Sequence, residues 1–212
     1  MAYEPSPRDF QSAFGQKQPE PILKLRKFGI LALMTKIDGV LHFVLTKRAA
    51  HVRQPGDICF PGGHQEKDEN LKHTALRETE EELGLPAEQI QILGRSNFML
   101  TVYGGLVQPY IGLVSYEDFR RLRCQKEEVA EVFTVPVSFF LEHQPEVHYM
   151  YWHADMSVDF PYDRIENGRE YPFSSCKIPE LFYFYEGRTI WGLTAQIIES
   201  IVKELPQHQA QR

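Results

Sequence analysis

Along residues 71–83 small or apolar side chains return every three or four positions, at Leu71, Ala75, Leu76, Thr79 and Leu83, the spacing of one buried stripe on an α-helix. No Pro or Gly interrupts residues 70–83. Asn70 suits the N-cap, Gly84 suits the left-handed residue that closes a helix, Leu85 supplies the contact beyond it, and Pro86 bars continuation. Upstream, residues 29–35 and 41–46 are apolar runs joined by Asp38-Gly39, which predicts a β-hairpin. Residues 57–60 predict a short strand ending at Pro61-Gly62-Gly63, a break that swings the chain into the helix.

Downstream, residues 89–94, 98–102 and 106–114 read as strands, as do 129–135, after which Pro136 fits the first turn of a helix carrying Val137, Phe139, Phe140 and Leu141. Residues 148–152 and 181–185 are aromatic-rich and strand-like, with a long loop over 155–176 between them. From Thr189 a last helix is expected, with Ile190, Thr194, Ile197, Ile198, Ile201, Val202 and Leu205 at helical spacing. Strands flanking a helix, followed by more strands and a terminal helix, predict an α/β sandwich around a mixed sheet.

At 212 residues the chain suits one domain with extensions. The expected division is an N-terminal arm over 1–27, poor in aliphatics and carrying Pro, Ser and Gln, a domain over 28–205, and a flexible tail over 206–212. A formal net charge of −6 argues against a nucleic-acid-binding surface, while small phosphorylated ligands remain compatible. Cys59, Cys124 and Cys176 are widely spaced with no paired motif, which fits a reducing compartment. With neither a signal-like N-terminus nor a long apolar run, the expectation is a cytoplasmic chain that does not enter a membrane. A homodimer is compatible with the sequence.

The predicted helix carries an electrostatic problem. Glu78, Glu81 and Glu82 stand at i, i+3 and i+4, so they emerge on one face and repel each other, near a helix C-terminus whose dipole also disfavours them. Arg77 lies four residues before Glu81 and can hold it, but one guanidinium does not offset Glu78, Glu80, Glu81 and Glu82 together. A hard divalent cation with oxygen ligands, Mg²⁺ or Mn²⁺, would. Another acidic group follows at Glu127, Glu128 and Glu131; if 129–135 is a strand, Glu128 and Glu131 lie on opposite sides of it, and one of them can reach the cluster.

Gly63, Glu69, Arg77, Glu78, Glu81, Glu82, Gly84 and Leu85 fit the pattern G-x5-E-x7-R-E-U-x-E-E-x-G-U, where U is bulky and apolar, with Thr79 departing at the first U. The segment resembles the Nudix box. The resemblance implies a Nudix-type α/β/α sandwich, the box as loop-helix-loop, and metal-assisted hydrolysis of a nucleoside diphosphate linked to another moiety. It implies Glu78, Glu81 and Glu82 as metal ligands, the Gly63 carbonyl as a backbone ligand, Glu69 as an auxiliary carboxylate, Arg77 as their support, and Glu128 as an extra carboxylate; the residue that deprotonates water is left open among these acids.

A second resemblance bears on substrate. Residues 44–63, with Thr46, Lys47, Arg48, Ala49, Arg53, Gly56, Phe60, Pro61, Gly62 and Gly63, are similar to the L-L-T-x-T-[SA]-x3-R-x3-G-x3-F-P-G-G element of coenzyme A pyrophosphatases within the superfamily. Arg48 replaces the second Thr, and two residues rather than three separate Arg53 from Gly56. Residues 128–136 and 190–195 are similar to further stretches of that subfamily. The implied reaction splits coenzyme A or acyl-coenzyme A into 3',5'-ADP and (acyl-)4'-phosphopantetheine, with Lys47, Arg48 and Arg53 on the phosphates. ADP-ribose, a dinucleoside polyphosphate or a nucleoside triphosphate is the alternative substrate, and a nucleotide sensor without turnover is the alternative outside catalysis. His51 and His64 are expected at the surface, and Phe98, Tyr103 and Tyr110 in the core.

Overall fold

The computed structural model describes residues 4–206. Its centre is a hairpin of two long strands, β1 (Arg26–Ile37) and β2 (Val40–Arg48), turned by Asp38 and Gly39, both at positive φ. Both faces of these strands are covered: Leu31 and Leu33 point one way, Ala32 and Met34 the other, and all are buried. Near-continuous apolar runs of this kind are what a central strand requires.

Around the hairpin lie β3 (Ile58–Cys59), β4 (Gly62–His64), β5 (Gln91–Arg95), β6 (Met99–Thr101), β7 (Gly105–Val114) and β8 (Val129–Pro136). β7 runs parallel to β1 and the remaining pairs are antiparallel, so the eight-stranded sheet is mixed. A second, three-stranded antiparallel sheet joins β9 (Glu146–Trp152), β10 (Cys176–Tyr185) and β11 (Arg188–Trp191).

Two apolar clusters separate the layers. On one face α2 (Leu71–Leu83) packs Ala75 and Leu83 against Leu31, Leu33 and Val44. On the other, α4 (Val137–Glu142) and α5 (Gly192–Lys203) bring Phe140, Ile197, Ile198, Ile201 and Val202 onto Phe43, Leu45 and Val135. The result is the expected α/β/α arrangement. A shorter helix, α3 (Tyr116–Phe119), follows β7, and α1 (Pro7–Phe14) lies in the N-terminal segment, burying none of its residues. The strand that follows that segment begins at Arg26, two residues before the expected domain start. The expected tail lies outside the described residues beyond Pro206.

The structure corrects the sequence expectations in three places. Thr189 does not open a helix: Arg188–Trp191 is a strand, folded onto β10 by Glu186 and Gly187, whose positive φ values of 47° and 74° make a hairpin turn. Ile190 reaches the core from that strand, so its four-residue distance from Thr194 is not a helical repeat. Gly62–His64 is not a break but a strand antiparallel to Phe28–Ile30, made possible because the two glycines let backbone approach β1 and the acidic helix closely. Finally, Phe98 and Tyr103 are exposed at and beyond the ends of the short strand β6, Tyr103 resting edge-on against Trp152.

Candidate functional site

The helix α2 is placed by its caps and by a glycine beneath it. Asn70 accepts a hydrogen bond from the His73 backbone N–H at 3.0 Å, and Gly84 closes the far end in the left-handed conformation with its N–H on the Glu80 carbonyl. Gly29 of β1 lies so close that an added Cβ would fall 2.2 Å from the Leu71 carbonyl oxygen. The helix is thus seated directly on the central strand, and its buried stripe sets the direction of every carboxylate.

That direction differs from one glutamate to the next. Glu82 is buried, with 6 % of its surface exposed, whereas the Glu81 side chain is 53 % exposed and that of Glu78 is 18 % exposed. The buried stripe runs through Ala75, Thr79 and Glu82, so Glu82 occupies a core position of the helix rather than its solvent face. Glu82 Oε2 has no hydrogen-bond partner, while the Gly62 backbone N–H supports the carboxylate. Burial first, and then the charges of Glu78 and Glu128, raise the Glu82 pKa to about 8 against the opposing effect of Arg48. Glu78 is raised by the same burial, offset by Arg77.

Gly63 completes the other wall: an added Cβ there would lie 2.2 Å from the Glu78 carboxyl carbon, so only glycine lets this side chain rest on the β4 backbone. Arg77 ties the acids together. Its Nε meets Glu69 Oε1 at 3.0 Å, Nη1 meets Glu78 at 2.9 Å and Glu81 at 3.0 Å, and Nη2 donates to the His64 carbonyl at 3.2 Å. Glu69 also accepts from Thr74 Oγ1 at 2.8 Å and from the Glu66 backbone N–H at 3.2 Å. With the Arg77 bonds as the main cause, its pKa falls to about 2. The four-residue spacing predicts the Arg77–Glu81 pair, whereas the bonds of Arg77 to Glu69 and Glu78 depend on how the loop before the helix folds back.

Of the second acidic group, Glu128 acts electrostatically on Glu78 and Glu82, and its carbonyl accepts the Ala49 N–H at 2.9 Å. Glu131 instead pairs with Arg188 at 2.6 Å. Among the basic candidates, Arg48 shares the α2 face of β2 with Val44, while Lys47 follows the opposite alternation with Phe43 and Leu45 and lies across from Glu131. Arg53 is exposed on the loop between β2 and β3, and His51 and His64 are exposed as expected.

Among the described residues no acidic, histidine or cysteine groups are already drawn together as a metal cluster; Arg77 holds Glu69, Glu78 and Glu81 at its own nitrogens. The residues nonetheless fit a hard divalent cation. A buried carboxylate oxygen without a partner, beside two more acids and the β4 backbone, is a site short of positive charge, and its donors are oxygens.

A model of the NUDIX domain matches residues 25–153, which contain this whole constellation. The chain belongs to the Nudix hydrolase family. Within that family it is 32 % identical over 204 residues to an uncharacterized Nudix hydrolase, NudL, of Photorhabdus laumondii, covering 93 % of this chain and 96 % of that one. It is 32 % identical over 140 residues to the peroxisomal coenzyme A diphosphatase NUDT7 of Mus musculus, covering 65 % of this chain and 58 % of the mouse protein. Among solved structures, a Caenorhabditis elegans Ap4A hydrolase binary complex overlays 56 % of this chain and 85 % of its own with a TM-score of 0.47 and 20 % identity. The family typically uses a divalent metal, in keeping with the donors around Glu82.

Proposed function

We propose that this Nudix hydrolase is a metal-dependent diphosphatase of coenzyme A or its acyl derivatives, releasing 3',5'-ADP and (acyl-)4'-phosphopantetheine. The observation that carries the chemistry is the buried Glu82 carboxylate, unpartnered at Oε2 and pressed by Glu78 and Glu128. The substrate assignment is supported by the element over residues 44–63 and by the likeness to the mouse coenzyme A diphosphatase.

Glu78, Glu81 and Glu82, with the Gly63 carbonyl and Glu69 beside them, would hold Mg²⁺ or Mn²⁺. When bound, the ion withdraws charge from phosphate oxygens and acidifies a water. Arg77 orients the acids, and Glu128 stands as the further carboxylate able to hold or accept a proton near the cluster. Arg53 is the candidate cation for the substrate phosphates, with Arg48 behind it at the base of the loop; Lys47 follows the other alternation of β2, across from Glu131. Water adds to one phosphorus of the diphosphate and the other phosphate departs, so each product keeps one phosphate of the diphosphate and the adenosine product retains its 3'-phosphate as well.

A panel of coenzyme A, acyl-coenzyme A, ADP-ribose, a dinucleoside polyphosphate and nucleoside triphosphates, each with Mg²⁺ or Mn²⁺ and with products weighed by mass spectrometry, tests this. The expected result is 3',5'-ADP from coenzyme A or its thioesters, abolished in Glu82→Gln with the fold intact. Turnover of ADP-ribose with none of coenzyme A would overturn the substrate, and binding without turnover across the panel would leave a sensor.

A further inference from the structure

Arg48 is fastened to the loop that follows it by both backbone and side chain. Its N–H donates to the Asp57 carbonyl at 2.9 Å, its carbonyl accepts the Gly56 N–H at 3.1 Å, and its Nε donates to the Arg53 carbonyl at 2.8 Å. The first two bonds close the base of the loop and could be made by most residues. The third crosses the loop and depends on a side chain of this length and donor geometry; the Thr of the resembling element is too short for it.

What that bond holds is the Arg53–Gln54 peptide. Gln54 is in the left-handed region at φ 56°, which is strained for a non-glycine residue, and the Arg48 bond ties this turn from outside. Fixing the Arg53 carbonyl fixes the plane of this peptide and the direction in which the exposed Arg53 side chain leaves the backbone. The Arg48 side chain also lies near the Cys59 thiol and within electrostatic reach of Glu82, and Ala49 next to it binds the Glu128 carbonyl. Arg48 therefore sits where the loop, the acidic helix and the Glu128 segment meet, with its Nε committed to the loop.

We propose that Arg48 is a positioning residue, pinning the Arg53–Gln54 peptide so that Arg53 is presented to a substrate phosphate, rather than a phosphate ligand itself. Its catalytic consequence rests on the reading of Arg53 as a substrate contact; its structural part does not.

The structural part is tested by limited trypsin digestion of the full chain, with mass spectrometry of the cut after Arg53. Arg48→Thr and Arg48→Met, first shown to be folded by circular dichroism and thermal melting, should be cut there at least tenfold faster than the wild type. Unchanged cleavage in both overturns the pin. The catalytic part is tested by a double-mutant cycle on the preferred substrate. Arg48→Thr should raise KM about tenfold with kcat changed less than threefold, corresponding to loss of one charge-assisted contact. In the Arg53→Ala background, Arg48→Thr should add less than twofold. Additive losses would make Arg48 an independent substrate contact and overturn the proposal. Faster cleavage with no turnover of any panel substrate would uphold the pin while removing the diphosphatase reading.

Discussion

Glu82→Gln in the metal-free protein should make the fold more stable at alkaline pH, with an advantage that fades on acidification. Glu82 is 6 % exposed, and its pKa is raised from 4.5 to about 8 by burial first and by Glu78 and Glu128 second. A raised carboxyl pKa means that the folded state holds this proton more tightly than the unfolded chain. Its contribution is fully present below about pH 4.5 and is lost as pH rises towards 8. At roughly 1.4 kcal/mol per pH unit, the wild type gives up ~2 kcal/mol by pH 6 and ~4 kcal/mol by pH 8. Gln has nearly the same shape and no charge, so it avoids this loss. At about 2–4 °C per kcal/mol for a chain of this size, the variant should melt ~10 °C above wild type at pH 8 in EDTA. The two melting curves should converge near pH 4.5. Adding Mg²⁺ or Mn²⁺ at pH 8 should raise the wild type towards the variant and leave the variant almost unmoved, because a cation that binds only the folded site stabilises it by mass action. Differential scanning fluorimetry over pH 4–8.5, with chelator and with metal, reads all of this. A difference between the two proteins that is constant across that range would refute burial of a titrating Glu82.

Gly29→Ala should cost about 3 kcal/mol or more in urea unfolding, since its Cβ would meet the Leu71 carbonyl and the Ala75 nitrogen, both backbone atoms that cannot step aside; a loss below 0.5 kcal/mol would contradict the seating of α2 on β1. Arg77→Lys should keep the charge yet lose stability by ~1–3 kcal/mol and blunt the metal-induced melting shift, because an ammonium cannot serve Glu69, Glu78, Glu81 and the His64 carbonyl together; a wild-type shift would show that the fork is dispensable. Glu69 has its pKa depressed to about 2 by Arg77, so its stabilising share is present above about pH 4.5 and lost as pH falls towards 2. Glu69→Gln should therefore be less stable at pH 7 and less steeply destabilised by acid between those limits, as followed by circular dichroism.

Much of the scaffold was legible because local chemistry and tertiary packing agree in it. The caps at Asn70 and Gly84, the Asp38-Gly39 turn and the covered runs of β1 and β2 act through nearest neighbours and periodicity, which sequence displays directly. β11 is hidden because Ile190 stands four residues before Thr194 and mimics a helical repeat, so the deciding signal, the short turn Glu186-Gly187, reads as the link from a strand to a helix rather than as a hairpin turn. The strand at Gly62–His64 was hidden for a related reason: paired glycines read as a break, and their use here, close approach to Ile30 and to Glu78, depends on what lies opposite.

The site shows the same division in its sharpest form. Spacing identifies Glu78, Glu81 and Glu82 as neighbours on one face of the helix and does not separate their burial. The stripe through Ala75 and Thr79 continues to Leu83 four residues on and also takes in Glu82 three residues on, beside that leucine. A carboxylate at a core position of an otherwise ordinary amphipathic helix lowers the stability of the empty fold, and that cost is reversed only when positive charge arrives. The buried glutamate is therefore the one whose burial has no structural benefit of its own, which makes Glu82, more than Glu81, the acid on which the proposed cation site depends.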